Sequence, residues 1–406
     1  MKSFDEIERT VNKFVIDLDR RTSYSLDRIE AVLSEFGNPQ ERFKSVHIAG
    51  TSGKSSTAYY TAAILQGAGY KVGLSISPYV EQMNERVQIG TEPLPEAEFC
   101  MEFTKFFSEL NKLNIIPTYF EMFVAFAYWY FAKAGVEYAV IEVGLGGLLD
   151  GTNVITRPDK VCIITDIGLD HTHVLGKTEA EIARQKAGII RGHNNVFMYH
   201  QNDIIDGEII NRCKEKHAAI HFTDPEDSFD FLKRNFTLAR TACEFIFERD
   251  GHRGLDVKQF EQARNTYIPG RMEKINYQGK TIILDGAHNS QKARTLARSI
   301  RKSYPDKTVA VLLAVGGNKQ SHLEDIVKVV ENISGFTIIS TFKKDHGAHS
   351  VSIEPARIAQ YFDKGSLLIE PDLNKAFETL LRRKEEILLV TGSLYLIGAV
   401  KKLLSS

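Results

Sequence analysis

The sequence predicts an α/β protein: a doubly wound, mostly parallel sheet with a phosphate loop, followed by a second, smaller α/β domain. Three observations lead there. Short apolar runs of strand length alternate with helix-like segments through most of the 406 residues. Runs such as YAVIEV at 138–143 and VCIIT at 161–165 are apolar on both faces, as parallel strands covered by helices must be. Between the first such run and the first helix after it lies GTSGKSS, residues 50–56, a small-residue loop where a helix N-terminus can hold an anion.

After an N-terminal helical region, Phe43–Ala49 reads as a strand and Thr57–Gly67 as a helix. Tyr70–Ser77 is a strand stopped by Pro78. Phe120–Lys133 is helical, Tyr138–Val143 and Lys160–Thr165 are strands, residues 178–188 form a helix ending at glycine, and Val196–Tyr199 is a further strand. Between Ser228 and Gln262 the alternation loosens, and FTLARTACEFIFERDGHRG reads as a hairpin or antiparallel edge. Tyr267-Ile-Pro-Gly-Arg271 reads as a domain boundary, giving domains 1–266 and 267–406. Beyond it TIILDGA, TVAVLLAVGG, FTIISTF and ILLVTGS alternate with helices from Ser290, near 322–332, near 354–363 and near 371–384, the order of a Rossmann-like α/β domain.

The formal net charge of -1 offers no general attraction to nucleic acid or to an anionic membrane. The strongest apolar stretch, MFVAFAYWYF at 122–131, is about half of what a membrane span needs and reads as a buried helix. The opening MKSFDEIERTVNK turns acidic before any apolar run, and Cys100, Cys162, Cys213 and Cys243 are scattered without a CxxC pair. A cytoplasmic, soluble protein is expected.

Gly50, Thr51, Ser52 and Gly53 let the backbone curl so that its N–H groups face inward, while Lys54 reaches toward phosphates and Ser55 or Ser56 offers a hydroxyl to Mg²⁺. Only two residues separate Gly50 from Gly53, so the full GxxxxGK[ST] spacing is not met. Glu142, closing the YAVIEV strand, is placed for a magnesium ion or is a solvated strand-end charge. DIGLDHTH at 166–173 ends another strand with carboxylates and two imidazoles; His171 is the better metal or substrate ligand of the two. Ser77 brings an oxygen to the same edge. Lys186, by periodicity alone, is a surface lysine.

In consistent order along nearly the whole chain, AGTSGKSS, SPYVEQMNERVQI, TYFE, EVGLGGLLDGTNV, ITDIGLDHTHVLGKT, IARQKAGII, PGR, LDGAHN and TGSLYL resemble the folylpolyglutamate synthase/dihydrofolate synthase family, part of the Mur-type ATP-dependent ligases. The resemblance implies an ATP-dependent acid–amino-acid ligase that joins L-glutamate to a folate, or to dihydropteroate, through an acyl phosphate. It implies that Gly50 to Ser56 bind ATP with Arg271 and Asp285. Ser55, Ser77, Glu142 and His171 would hold Mg²⁺ at two sites, with Lys186 carbamylated near the second. Phe120 and Asp150 would line the pterin pocket, and His288 and Ser393 would serve the incoming amino acid. Lys54, His171, Lys186, Arg271 and His288 carry the catalytic roles, and a monomer is expected. The chain departs from the family's pattern at Ser52, Ser55, Leu148, Gly151 and Gln185 and in TFKKDHGAHS around residue 345. Those departures keep a Mur-type ligase with another carboxylate acceptor in play, and a phosphate-loop kinase or nucleotide switch remains the reading from a different class.

Overall fold

In this computed structural model, residues 1–14, 25–225, 230–342, 351–363 and 366–405 are described. The chain divides into two units, Met1–Thr266 and Tyr267–Ser406. The first is built on strands β1 (Lys44–Ala49), β2 (Val72–Ser75), β3 (Gln88–Ile89), β4 (Glu92–Pro93), β5 (Tyr138–Glu142), β6 (Val161–Ile164), β7 (Asn195–Met198) and β8 (Ala219–Phe222), in the order β4-β3-β2-β5-β1-β6-β7-β8. The β2–β3 and β3–β4 pairs are antiparallel and the rest parallel. Every residue of β2, β5 and β6 is buried, as strands sandwiched between helices require. With β1 flanked by β5 and β6, the chain leaves the centre in opposite directions, and the loops after these strands collect at the carboxyl edge where α/β sheets bind ligands.

One side of the sheet carries an aromatic core. The apolar stretch at 122–131 lies in the helix Tyr119–Ala134, almost wholly buried, opened by a Thr118/Glu121 capping box and stopped by Gly135 in the left-handed conformation at φ 66°. Its Phe126 meets Phe103 of the helix Glu96–Leu110 edge-on, ring centroids 5.1 Å apart. Among the described residues no helix is long and apolar enough to cross a membrane.

The segment expected as a hairpin is instead a 19-residue helix, Phe231–Arg249. Its buried residues, among them Phe236, Ala239, Cys243, Ile246 and Phe247, recur every three to four positions, so tertiary burial overrides the strand preference of its Phe, Thr and Ile residues. It packs on the helix Lys54–Gly67, where Tyr60 and Phe236 meet edge-on at 5.3 Å. A polar staple fixes its far end: Lys44 Nζ lies 2.8 Å from Asp250 Oδ2, Arg249 donates to the Tyr138 hydroxyl at 2.6 Å, and that hydroxyl donates to Asp250.

The second unit holds β9 (Glu273–Tyr277), β10 (Lys280–Asp285), β11 (Val309–Leu313), β12 (Ser334–Ile339), β13 (Ser366–Ile369) and β14 (Ile387–Thr391), in the order β13-β12-β11-β14-β10-β9. Only β9 runs antiparallel to its neighbour. Asp285 and Thr391 are register partners at the ends of β10 and β14, so the DGAHN and TGS segments leave the sheet side by side.

Candidate active site

The loop after β1 is held open by backbone contacts. Thr51 and Ser52 donate their N–H groups to the Asp166 carbonyl at 2.7 and 3.1 Å, and the Thr51 hydroxyl donates to the Gly168 carbonyl at 3.0 Å. Gly50 is required here: at φ 155° a Cβ would lie 1.8 Å from Thr165 Oγ1. Gly53, at φ 91°, is the N-cap of the helix Lys54–Gly67 and offers that helix end no side-chain cap.

Two ammonium groups converge on this loop. Lys54 Nζ donates to the Gly50 carbonyl at 3.1 Å and Lys186 Nζ to the same oxygen at 2.9 Å. Lys186, predicted from periodicity as a surface residue, is 4% exposed. Burial, reinforced by the Lys54 charge, pushes its ammonium down to about 7. Of the two candidate hydroxyls, Ser55 donates to Glu142 Oε1 at 2.9 Å, whereas Ser56 is buried in the helix. The other oxygen, Glu142 Oε2, accepts the Ser77 backbone N–H at 3.2 Å. His171 takes the left-handed conformation at φ 48°; its N–H donates to Asp170 Oδ1 at 2.9 Å, and its Nε2 lies 3.9 Å from that oxygen. Among the described residues no group of three or more His, Cys, Asp or Glu side chains is arranged to hold a metal. The oxygen set of Glu142 and Ser55 nevertheless suits Mg²⁺, which is commonly held by one or two carboxylates, substrate phosphate oxygens and water.

Beside this cluster a cavity of about 340 Å³ opens, lined by Arg28, Ser77, Phe120, Leu149, Asp150 and Gln185 among others. Asp150 Oδ2 accepts the Leu145 N–H at 2.7 Å and Oδ1 the Thr152 N–H at 3.0 Å. Burial raises the Asp150 carboxyl against these hydrogen bonds. Gly151 leaves room beside Phe120: a Cβ there would sit at an ordinary 3.6 Å from the ring. Leu148 is 37% exposed, with its N–H on the Gln185 carbonyl at 2.7 Å.

In the second unit, both Asp285 oxygens are occupied by backbone, Oδ2 by the Met272 N–H at 2.9 Å and Oδ1 by the Ala287 N–H at 3.0 Å. Arg271 donates to the Gly270 carbonyl at 3.0 Å. His288 donates through Nδ1 to the Gly286 carbonyl at 2.8 Å, and its Nε2 lies 3.1 Å from Lys292 Nζ. The Ser393 hydroxyl accepts the Tyr395 N–H at 3.2 Å. Residues 343–350, which make up most of the departing loop around residue 345, lie outside the described residues.

Residues 48–277 match the Mur ligase middle domain and residues 270–394 the Mur ligase glutamate ligase domain. The chain is 29% identical to the dihydrofolate synthetase of Saccharomyces cerevisiae, over 94% of this chain and 98% of that protein. It is 28% identical to the dihydrofolate synthase/folylpolyglutamate synthase of Bacillus subtilis, over 93% and 94%. It shares its fold with Mycobacterium tuberculosis folylpolyglutamate synthase complexed with ADP, at a TM-score of 0.86 and 24% identity, covering 99% of this chain and 98% of that one. The chain belongs to the folylpolyglutamate synthase/dihydrofolate synthase family of Mur ligases.

In this Mur ligase the structure adds residues that the sequence left unmarked. Asn235, 4% exposed on the helix Phe231–Arg249, abuts the phosphate loop: a Cβ on Gly53 would lie 2.8 Å from its Oδ1, and its Nδ2 has no partner among the described residues. Arg234 beside it pairs with Asp166 at 2.7 Å. At the cavity, Arg28 forms a bidentate pair with Glu121 at 2.6 and 2.9 Å, which outweighs burial and holds that carboxyl below its ordinary range. Arg86 lies among the rings of Tyr79, Tyr119 and Phe123, 5.2–5.4 Å from their centroids. Only the NER spelling at 84–86 could have flagged Arg86; the contacts of Asn235 and Arg28 span too much sequence to be read.

Proposed function

We propose that this chain ligates L-glutamate to a folate, or to dihydropteroate, at the expense of ATP. The observation that carries the reading is a single carboxylate between two sites. Glu142 takes Ser55 of the phosphate-loop helix on one oxygen and the Ser77 N–H on the other, and Ser77 lines the apolar cavity. A kinase or nucleotide switch has no need of a carboxylate acceptor pocket ending at its nucleotide loop. A ligase that phosphorylates the acceptor's carboxylate does.

In this reading the acceptor's ring system lies against Phe120 and Asp150, and its carboxylate reaches the Ser77 end. The carboxylate oxygen attacks the γ-phosphate of ATP, ADP leaves, and the acyl phosphate forms. The amine of glutamate then attacks the acyl carbon, phosphate leaves and the amide remains. Lys54 and the uncapped N–H groups of its helix offset charge on the transferred phosphoryl group, and Asn235 offers its amide nitrogen to the nucleotide. Mg²⁺, for which Ser55, Ser77, Glu142 and His171 are the proposed ligands, would supply further neutralisation of phosphate charge. Lys186, with an ammonium pushed down to about 7, carries the neutral amine that carbamylation requires. Arg271 and Asp285 are assigned to the nucleotide, His288 and Ser393 to glutamate, as the matched glutamate ligase domain at 270–394 supports. In this reading the chain is a monomer working in the cytoplasm.

The test is glutamate-dependent ADP release with dihydropteroate, tetrahydrofolate and methylene-tetrahydrofolate, with mass spectrometry of the products. Gain of one glutamyl unit on a reduced folate is the expected result, and the same gain on dihydropteroate adds the synthase activity. Robust turnover with some other carboxylate acceptor and none with this panel would overturn the folate assignment and keep the ligase.

A further inference from the structure

His47 stands three residues before Gly50, in the centre of β1, and is fully buried. An aliphatic side chain would fill that position without the cost of desolvating an imidazole. The ring makes one hydrogen bond, 2.9 Å from Nε2 to Thr152 Oγ1. The direction of that bond is fixed by the next one: the Thr152 hydroxyl spends its proton on Asp150 Oδ1 at 2.5 Å, so it must accept from His47 Nε2–H. Nδ1 has no partner among the described residues, and burial, with the positive charges of Lys160 and Arg191 near by, keeps the imidazole neutral. The chain of donors therefore runs one way, from His47 through Thr152 to the carboxylate that lines the cavity.

We infer that His47 is a positioning residue for the acceptor pocket, holding through Thr152 the orientation in which Asp150 meets the bound ring system. The inference rests on reading the cavity as the acceptor site. Asp150 is braced from both sides: the Leu145 N–H holds Oδ2, while the Thr152 N–H and hydroxyl hold Oδ1. Rotation of the carboxylate breaks all three bonds together. Without the imidazole donor, the Thr152 hydroxyl keeps a buried lone pair unsatisfied and is free to turn, and Asp150 loses the group that fixes its plane. The ligand chemistry suited to such a carboxylate is a ring edge with adjacent N–H donors, as a pterin presents.

Three variants separate this role from a merely structural one. His47→Phe keeps a planar aromatic ring and removes the donor, His47→Gln restores a donor, and Thr152→Val removes the middle hydroxyl with little change of shape. His47→Phe and Thr152→Val are expected to raise the acceptor KM and weaken direct dihydropteroate binding about tenfold while the ATP KM stays put, with His47→Gln recovering most of the loss and the double variant no worse than Thr152→Val. A raised ATP KM with unchanged acceptor binding would mean that His47 supports the phosphate loop instead, and would overturn the inference. A ligand-free readout judges the relay even if the wild type binds no pterin or folate, an outcome that would sink the functional reading alone. Native-state exchange of the Leu145 and Thr152 amides should quicken in Thr152→Val; unchanged protection of both refutes the relay whatever the acceptor is.

Discussion

In each unit a buried strand runs into a glycine-containing loop and then a helix: β1 into Gly50–Gly53 and Lys54–Gly67, β10 into Gly286–Asn289 and Ser290–Ser303. The helix starts differ. Gly53 caps nothing with a side chain, whereas Asn289 accepts the Lys292 N–H at 2.9 Å. One helix end offers its N–H groups to an outside anion, and the other has begun to satisfy its own. The buried lysines differ in the same sense. Lys401 of the second unit has the Glu273 carboxylate at 2.8 Å, but Lys186 donates to the neutral Gly50 carbonyl. The same supersecondary unit thus starts its helix without a side-chain cap in one domain and with one in the other.

The largest expected effect breaks this contrast at Lys54. Lys54→Ala should lower glutamate-dependent ADP release by about 10³-fold while the thermal midpoint stays close to wild type, because the folded chain loses only one bond to a loop carbonyl. Near-normal turnover by that variant would remove the phosphate-loop assignment.

Lys186 sets a second test, with a sign fixed by its depressed ammonium. The neutral amine grows as pH rises through about 7, so bicarbonate should stimulate turnover of bicarbonate-depleted enzyme more at about pH 8 than at about pH 6. Between about 7 and 10.5 the unfolded chain binds this proton and the folded chain does not. The contribution of Lys186 to stability is therefore full above 10.5 and lost as pH falls through about 7. Lys186→Met should flatten that slope in thermal melts, and a slope equal to wild type would refute the burial argument.

The smallest effect is at the other helix start. Asn289→Ala should cost about 1 kcal/mol of stability in denaturant melts, as loss of a side-chain cap does. A loss several times larger would show that the second helix start holds more than its own N–H groups.

Much of the first site could be read because it is local. Gly50 to Ser55 are contiguous, and Glu142 closes a strand whose apolar faces announce it. The helix Phe231–Arg249 was hidden because Thr237, Thr241, Phe245 and Ile246 favour strands in isolation, and only packing on the helix Lys54–Gly67 exposes its 3.6-residue rhythm. Asn235 was invisible for the same reason, since its meaning lies in a contact with Gly53. Lys186 looked like surface because helical spacing cannot say that the loop after β1 passes over it. His47 reads as one more residue of an apolar strand until Thr152 is brought beside it.

The staple of Lys44, Tyr138, Arg249 and Asp250 bears on how the protein is born. Bonds that join residue 44 to residue 250, and the contact of Gly53 with Asn235, form only after more than half of the chain has left the ribosome. Until then the nascent loop has its glycines and its lysine but lacks the helix that completes its wall. A fragment released before Phe231 would carry the whole phosphate-loop motif and still be without the helix that walls it, so the motif's presence in a truncated product is no measure of its competence.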